Sequence, residues 1–186
     1  SEVEDLERRV KRILEESDEL VKRHEEKSRK IVKDLEDLLR RNEDTVEKIL
    51  RELEKRIRDG GDDKETLLRT VRERVKDLER HSKEVRDRVR ELLERLDRDA
   101  KRVEEEDDRL VDELEKDLRR VLEEMGNSER VTRVVEKVRR LLEESKRRSK
   151  EVVKRSKDLL KEAEDRADES VRELRRKLKE LEEKAE

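Results

Sequence analysis

The sequence predicts an all-α fold, an antiparallel up-down-up bundle of three long, nearly straight helices. Three observations carry that prediction. Apolar residues follow a seam that advances 3.6 residues per step, the repeat of an undistorted α-helix. The seam occurs three times at equal length, each time fifteen steps over 54 residues. Only three glycines and no proline punctuate the chain, and all three glycines fall between seams. A strict heptad would cover the same steps in roughly 52.5 residues and impose a left-handed supercoil.

The first helix is expected at about residues 2–58. Its seam opens with Val3, Leu6, Val10 and Ile13 and closes with Val46, Ile49, Leu53 and Ile57. Ser1 with Glu4 has the spacing of a capping box. Doubled apolar positions at Ile13/Leu14, Ile31/Val32 and Ile49/Leu50 recur every 18 residues, or five whole turns.

The helix ends at Arg58-Asp-Gly-Gly-Asp-Asp63, where Gly60 or Gly61 can take the left-handed conformation that closes a helix. Asp62 or Asp63 caps the second helix, with Glu65 placed as capping-box partner to Asp62. That helix is expected at about residues 63–125, its seam running from Val71 to Met125. Met125-Gly-Asn-Ser128 supplies the second break, with Gly126 as stop and Ser128 as N-cap. The third helix, about 129–185, has a seam from Val131 to Ala185 and the thinnest core face, with Ala163 and Ala167 among its serines. Those small residues either leave a cavity or offset Ile31, Leu35 and Leu92 opposite, and the second reading is the expected one.

Short loops make neighbouring helices antiparallel, and at 1.5 Å per residue each should span roughly 85 Å. Residues 1–186 thus read as one three-helix domain whose narrow seams satisfy one another, which favours a monomer. Helix 1 is nearly neutral, helix 2 acidic and helix 3 basic, so opposite-sign flanks help select neighbour and register.

Composition limits function. Charged residues make up 61% of the chain and apolar ones 28%. The apolar share matches the roughly 29% of a two-in-seven seam, so the low hydrophobicity reflects patterning and not disorder. With 55 basic against 58 acidic residues there is no electrostatic drive toward nucleic acid. Cysteine is absent, which removes disulfides and thiolate metal sites. No apolar run approaches the roughly 18 residues of a membrane span, and no targeting signal appears. Ser1 in place of an initiator Met points to a processed or tagged chain.

The candidate site residues are polar groups inside the seams. They are Ser17, His24 and Asn42 on helix 1, His81, Ser82, Asp99 and Asp107 on helix 2, and Ser149, Ser156 and Ser170 on helix 3. Ser28 and Ser145 also occupy seam positions. Folding the chain at its loops sets residue k of helix 1 level with about 122−k and k+132. His24 then meets Asp99 and Ser156, Ser17 meets Asp107 and Ser149, and Asn42 meets His81, Ser82 and Ser170. Polar groups facing polar groups is what burial demands. The histidines either fix register and topology or act as an acid switch, a buried neutral ring destabilising the fold when it charges.

The residues offer little reactive chemistry. Neither histidine has a Glu three residues before it, as helical di-metal sites require, and no His-Glu-x-x-His occurs. Glu104-Glu-Glu-Asp-Asp108 reads as a solvated face rather than a cation site. The basic run Lys146-Arg-Arg-Ser-Lys150 lacks aromatic stacking partners for a nucleic acid. Ser156, His24 and Asp99 have the residue types of a catalytic triad, but a core position gives them no substrate access.

The 18-residue seam, the Asp-Gly-Gly-Asp-Asp and Gly-Asn-Ser loops and the Glu/Lys/Arg surface together resemble computationally designed, parametric three-helix bundles with buried hydrogen-bond networks. The resemblance covers the whole chain and implies a stable, soluble structural scaffold, not an enzyme, with no cofactor, metal or required partner. The alternative is a binding or assembly module, either a component of a helical hetero-oligomer or a pH-responsive bundle that uses its buried histidines. Localisation stays open.

Overall fold

The computed structural model describes residues 2–126 and 128–185, and of Ala185 only the backbone. Three α-helices account for almost all of them: α1 (Glu2–Asp59), α2 (Lys64–Met125) and α3 (Glu129–Ala185). The expected cap at Ser1, the loop residue Asn127 and the seam side chain of Ala185 lie outside the described residues.

Local chemistry sets the helix ends. Gly60 and Gly126 adopt positive φ, at 61° and 71°, a region where a Cβ would be strained. Of the two candidate caps before α2, Asp63 is the one that acts. Its carboxylate accepts the Thr66 amide hydrogen bond at 2.8 Å and its carbonyl accepts that of Leu67 at 3.0 Å. Asp62 instead accepts a hydrogen bond from Arg56 Nε at 2.8 Å, tying the loop back to α1. Ser128 caps α3 the same way, its hydroxyl accepting from the Val131 amide at 3.3 Å.

The helices contribute to two compact units, Ser1–Arg29 with Arg95–Asp158, and Lys30–Glu94 with Leu159–Glu186. In the first unit the apolar core gathers Val3, Leu6, Val10 and Ile13 of α1, Leu110 to Val121 of α2, and Val131 to Leu142 of α3. Leu6 and Leu114 are fully buried, each removal from water contributing about 1.5–3 kcal/mol. In the second unit Val46, Leu50 and Leu53 close on Val71, Val75 and Leu78 and on Leu174, Leu178 and Leu181.

Seam positions are buried or half-buried throughout the described residues, with one exception. Met125 is 38% exposed, because it is the last residue of α2 and the chain turns away at Gly126. The doubled positions broaden the stripe: Leu92 with Leu93, Leu110 with Val111 and Val152 with Val153 are buried in pairs.

Candidate functional site

Three polar levels interrupt the oily stripes, two in the first unit and one in the second. The most complete is centred on His24, whose ring has no solvent exposure. His24 Nδ1 lies 2.9 Å from Asp99 Oδ2 and Nε2 lies 2.7 Å from Ser156 Oγ. Lys27 and Arg102 both donate to Asp99 Oδ1, at 3.2 and 3.1 Å. Ser156 Oγ also sits 3.1 Å from the Val152 carbonyl and 3.2 Å from Ser28 Oγ, and Ser28 in turn lies 2.8 Å from the His24 carbonyl. Burial raises the cost of ionising Asp99, but hydrogen bonds from His24, Arg102 and Lys27 outweigh it and hold the carboxyl below its ordinary pKa. Asp99 is therefore a carboxylate, able only to accept, so Nδ1 carries a proton.

The second level joins one side chain from each helix. Ser17 donates to Asp107 Oδ1, and its oxygen lies 3.1 Å from Ser145 Oγ. Because the Ser17 proton is committed to the carboxylate, Ser145 is the donor to Ser17, and a three-residue relay runs α3 to α1 to α2. Alignment from the loops set Ser149 at this level. The structure puts Ser145 there instead, one turn earlier, and leaves the buried Ser149 hydroxyl without a protein partner. The same 128-residue offset relates Ser28 to Ser156, so α1 and α3 run in the same direction while α2 runs against them.

The third level, in the second unit, holds the remaining candidates. Asn42 and Ser82 are buried, His81 and Ser170 half-buried. Asn42 Oδ1, His81 Nε2 and Ser82 Oγ are buried atoms without a hydrogen-bond partner. Asn42 and Ser170 line a cleft of about 290 Å³ with Val46, Leu50 and Leu174. These residues share a level, but no hydrogen bond joins them.

Sequence reasoning missed the grip of Lys27 and Arg102 on Asp99. A signal existed: Asp99 has Arg102 three residues on, the usual spacing of a helical ion pair. The basic run of α3 is spoken for by its neighbours. Lys146 approaches Glu115 at 3.6 Å, Arg148 approaches Asp18 at 3.9 Å and Lys157 approaches Glu104 at 3.8 Å. Among the described residues no group of three or more His, Cys, Asp or Glu side chains could hold a metal ion, and no helix is long and apolar enough to cross a membrane.

Comparison with known proteins gives the fold a match. A solved structure described as a computationally designed three helix bundle superposes with a TM-score of 0.57 at 21% identity, covering 99% of this chain and 93% of the other. The fold is a three-helix bundle. No protein-family model matches the chain, and neither does any curated protein.

Within such a bundle the Asp99–His24–Ser156 alignment has the hydrogen-bond order of a hydrolase triad. With His24 fully buried and Ser156 only 3% exposed, the serine oxygen faces helix backbone and not a site where a carbonyl could be attacked. The chemistry this arrangement performs is internal: it supplies every buried polar atom of its level with a partner.

Proposed function

We propose that this chain is a designed structural scaffold, a single-chain three-helix bundle with no natural biochemical activity. The observation that supports this most is the composition of the polar levels in the first unit. Each draws side chains from all three helices and places donors against acceptors, as Ser145–Ser17–Asp107 and Asp99–His24–Ser156 do. Such levels penalise any slip in register, since a one-turn shift would set carboxylate or imidazole against leucine. The likeness to a designed bundle fits the same reading, as do the 18-residue repetition and the restricted alphabet. On this reading the whole chain is one domain, monomeric, without cofactor and without catalytic residues.

Multi-angle light scattering across a hundredfold concentration range tests it. A constant mass near 22.7 kDa is expected. A mass that climbs with concentration would favour an assembly module. That second reading has some support in the second unit, where Leu159 is 39% exposed and α1 and α3 frame clefts at Asn42, Leu39 and Ser170.

A further inference from the structure

The His24 level contains one acceptor more than its neutral form uses. With Asp99 ionised and Nδ1–H donating to it, a neutral ring leaves Nε2 bare, and Ser156 must donate to it across 2.7 Å. Ser28 then donates to Ser156 or to the His24 carbonyl. In this state the Val152 carbonyl, 3.1 Å from Ser156 Oγ, receives nothing from the level. If the ring gains a proton, Nε2–H needs an acceptor, and Ser156 Oγ is already in place. The Ser156 hydroxyl hydrogen then needs a new acceptor, and the Val152 carbonyl is already within reach. Ser28 keeps the His24 carbonyl at 2.8 Å.

We propose that the His24 level takes up a proton without opening, by rotation of the Ser156 hydroxyl from His24 Nε2 to the Val152 carbonyl. Four donors then meet four acceptors with no heavy atom displaced. The new positive charge lies against a carboxylate on its Nδ1 side, so it is paired as soon as it forms. The charged groups around the ring are Lys27 from α1, and Asp99 and Arg102 from α2, with Arg102 also reaching Glu106 at 3.4 Å. From α3 the neighbours are Ser156 and the Val152 carbonyl, while Lys157 approaches Glu104. Lys27 and Arg102 both engage Asp99 Oδ1, which leaves Oδ2 to the imidazole. A buried histidine that would act as an acid trigger in an apolar core acts here as an internal proton acceptor. His81 has no such provision, its buried Nε2 lacking any partner.

The test uses the full chain carrying His81→Asn, so that His24 is the sole imidazole, with ¹⁵N ring shifts and amide hydrogen exchange followed from pH 7.5 to 5. The expected result is an Nδ1–H tautomer at the high end. Conversion to the doubly protonated ring should follow on acidification, while protection at Val21, Val103 and Val153 changes less than about twofold. A second chain adding Ser156→Ala removes the acceptor for Nε2–H. Exposing that unpaired donor should make the same amides exchange about tenfold faster at pH 5 than at pH 7.5. An Nε2–H tautomer at neutral pH would overturn the proposal. So would loss of protection in step with ring charging in the Ser156-containing chain, or identical acid behaviour of the two chains.

Discussion

At the scale of single residues, burial and partnership decide what each polar side chain contributes. Asp107 is 5% exposed, with Ser17 as its hydroxyl donor. Replacing the whole relay by Ser17→Ala, Asp107→Leu and Ser145→Ala should stabilise the protein by about 1–3 kcal/mol, because desolvating a carboxylate outweighs what two hydroxyls return. Urea denaturation reads that change directly, and a net loss of stability would show the relay to be favourable in itself. Asp99 behaves differently, since three donors hold it ionised. Its folded pKa lies below the unfolded value. The stability it contributes is therefore fully present above the unfolded carboxyl range and disappears as pH falls through the lower, folded value. Asp99→Asn should flatten the acid limb of a stability-versus-pH curve measured between pH 6 and 2. Asn42 and Ser82 are the opposite case, buried with unpaired oxygens. Asn42→Leu with Ser82→Ala should raise the melting temperature, each substitution removing an unsatisfied group that costs about 1–3 kcal/mol.

At the scale of elements, the helix ends and the seam phase were readable, and the register was not wholly so. Glycine before aspartate and glycine before Ser128 announced both breaks, because only a residue without Cβ sits easily at the φ of Gly60 and Gly126. The choice between Asp62 and Asp63 as cap turned on which carboxylate Arg56 would capture, a tertiary contact that no local pattern encodes. Gly126→Ala should destabilise by about 1 kcal/mol, since alanine must enter the left-handed region. Ser128→Ala should cost a similar amount, about 1 kcal/mol, through the lost cap. Thermal melts followed by circular dichroism would report both. Counting back from the loops placed His24 beside Asp99 and Ser156 but missed Ser145 by a turn. Loop geometry fixes helix alignment only to within a few residues, and side-chain reach settles the rest.

For the molecule as a whole, the two units differ in how well their polar groups are matched. The first pairs His24, Asp99, Ser156, Ser17, Asp107 and Ser145, while the second leaves Asn42, His81 and Ser82 with unpaired atoms. Native-state hydrogen exchange should accordingly find lower opening energies for amides in 159–181 than for those in 131–158. Equal protection along α3 would contradict this. The levels also repeat one another. Asn42 lies 18 residues after His24, and His81 lies 18 before Asp99, so the imidazole and its partner trade helices from one level to the next. Because 18 residues are five complete turns, every side chain returns to its own azimuth after one such interval. The sequence is therefore written in interchangeable cassettes. A block excised from, or spliced into, all three helices at matched heights would preserve the phase of everything beyond the splice, so that length becomes an adjustable dial on an otherwise unaltered pattern.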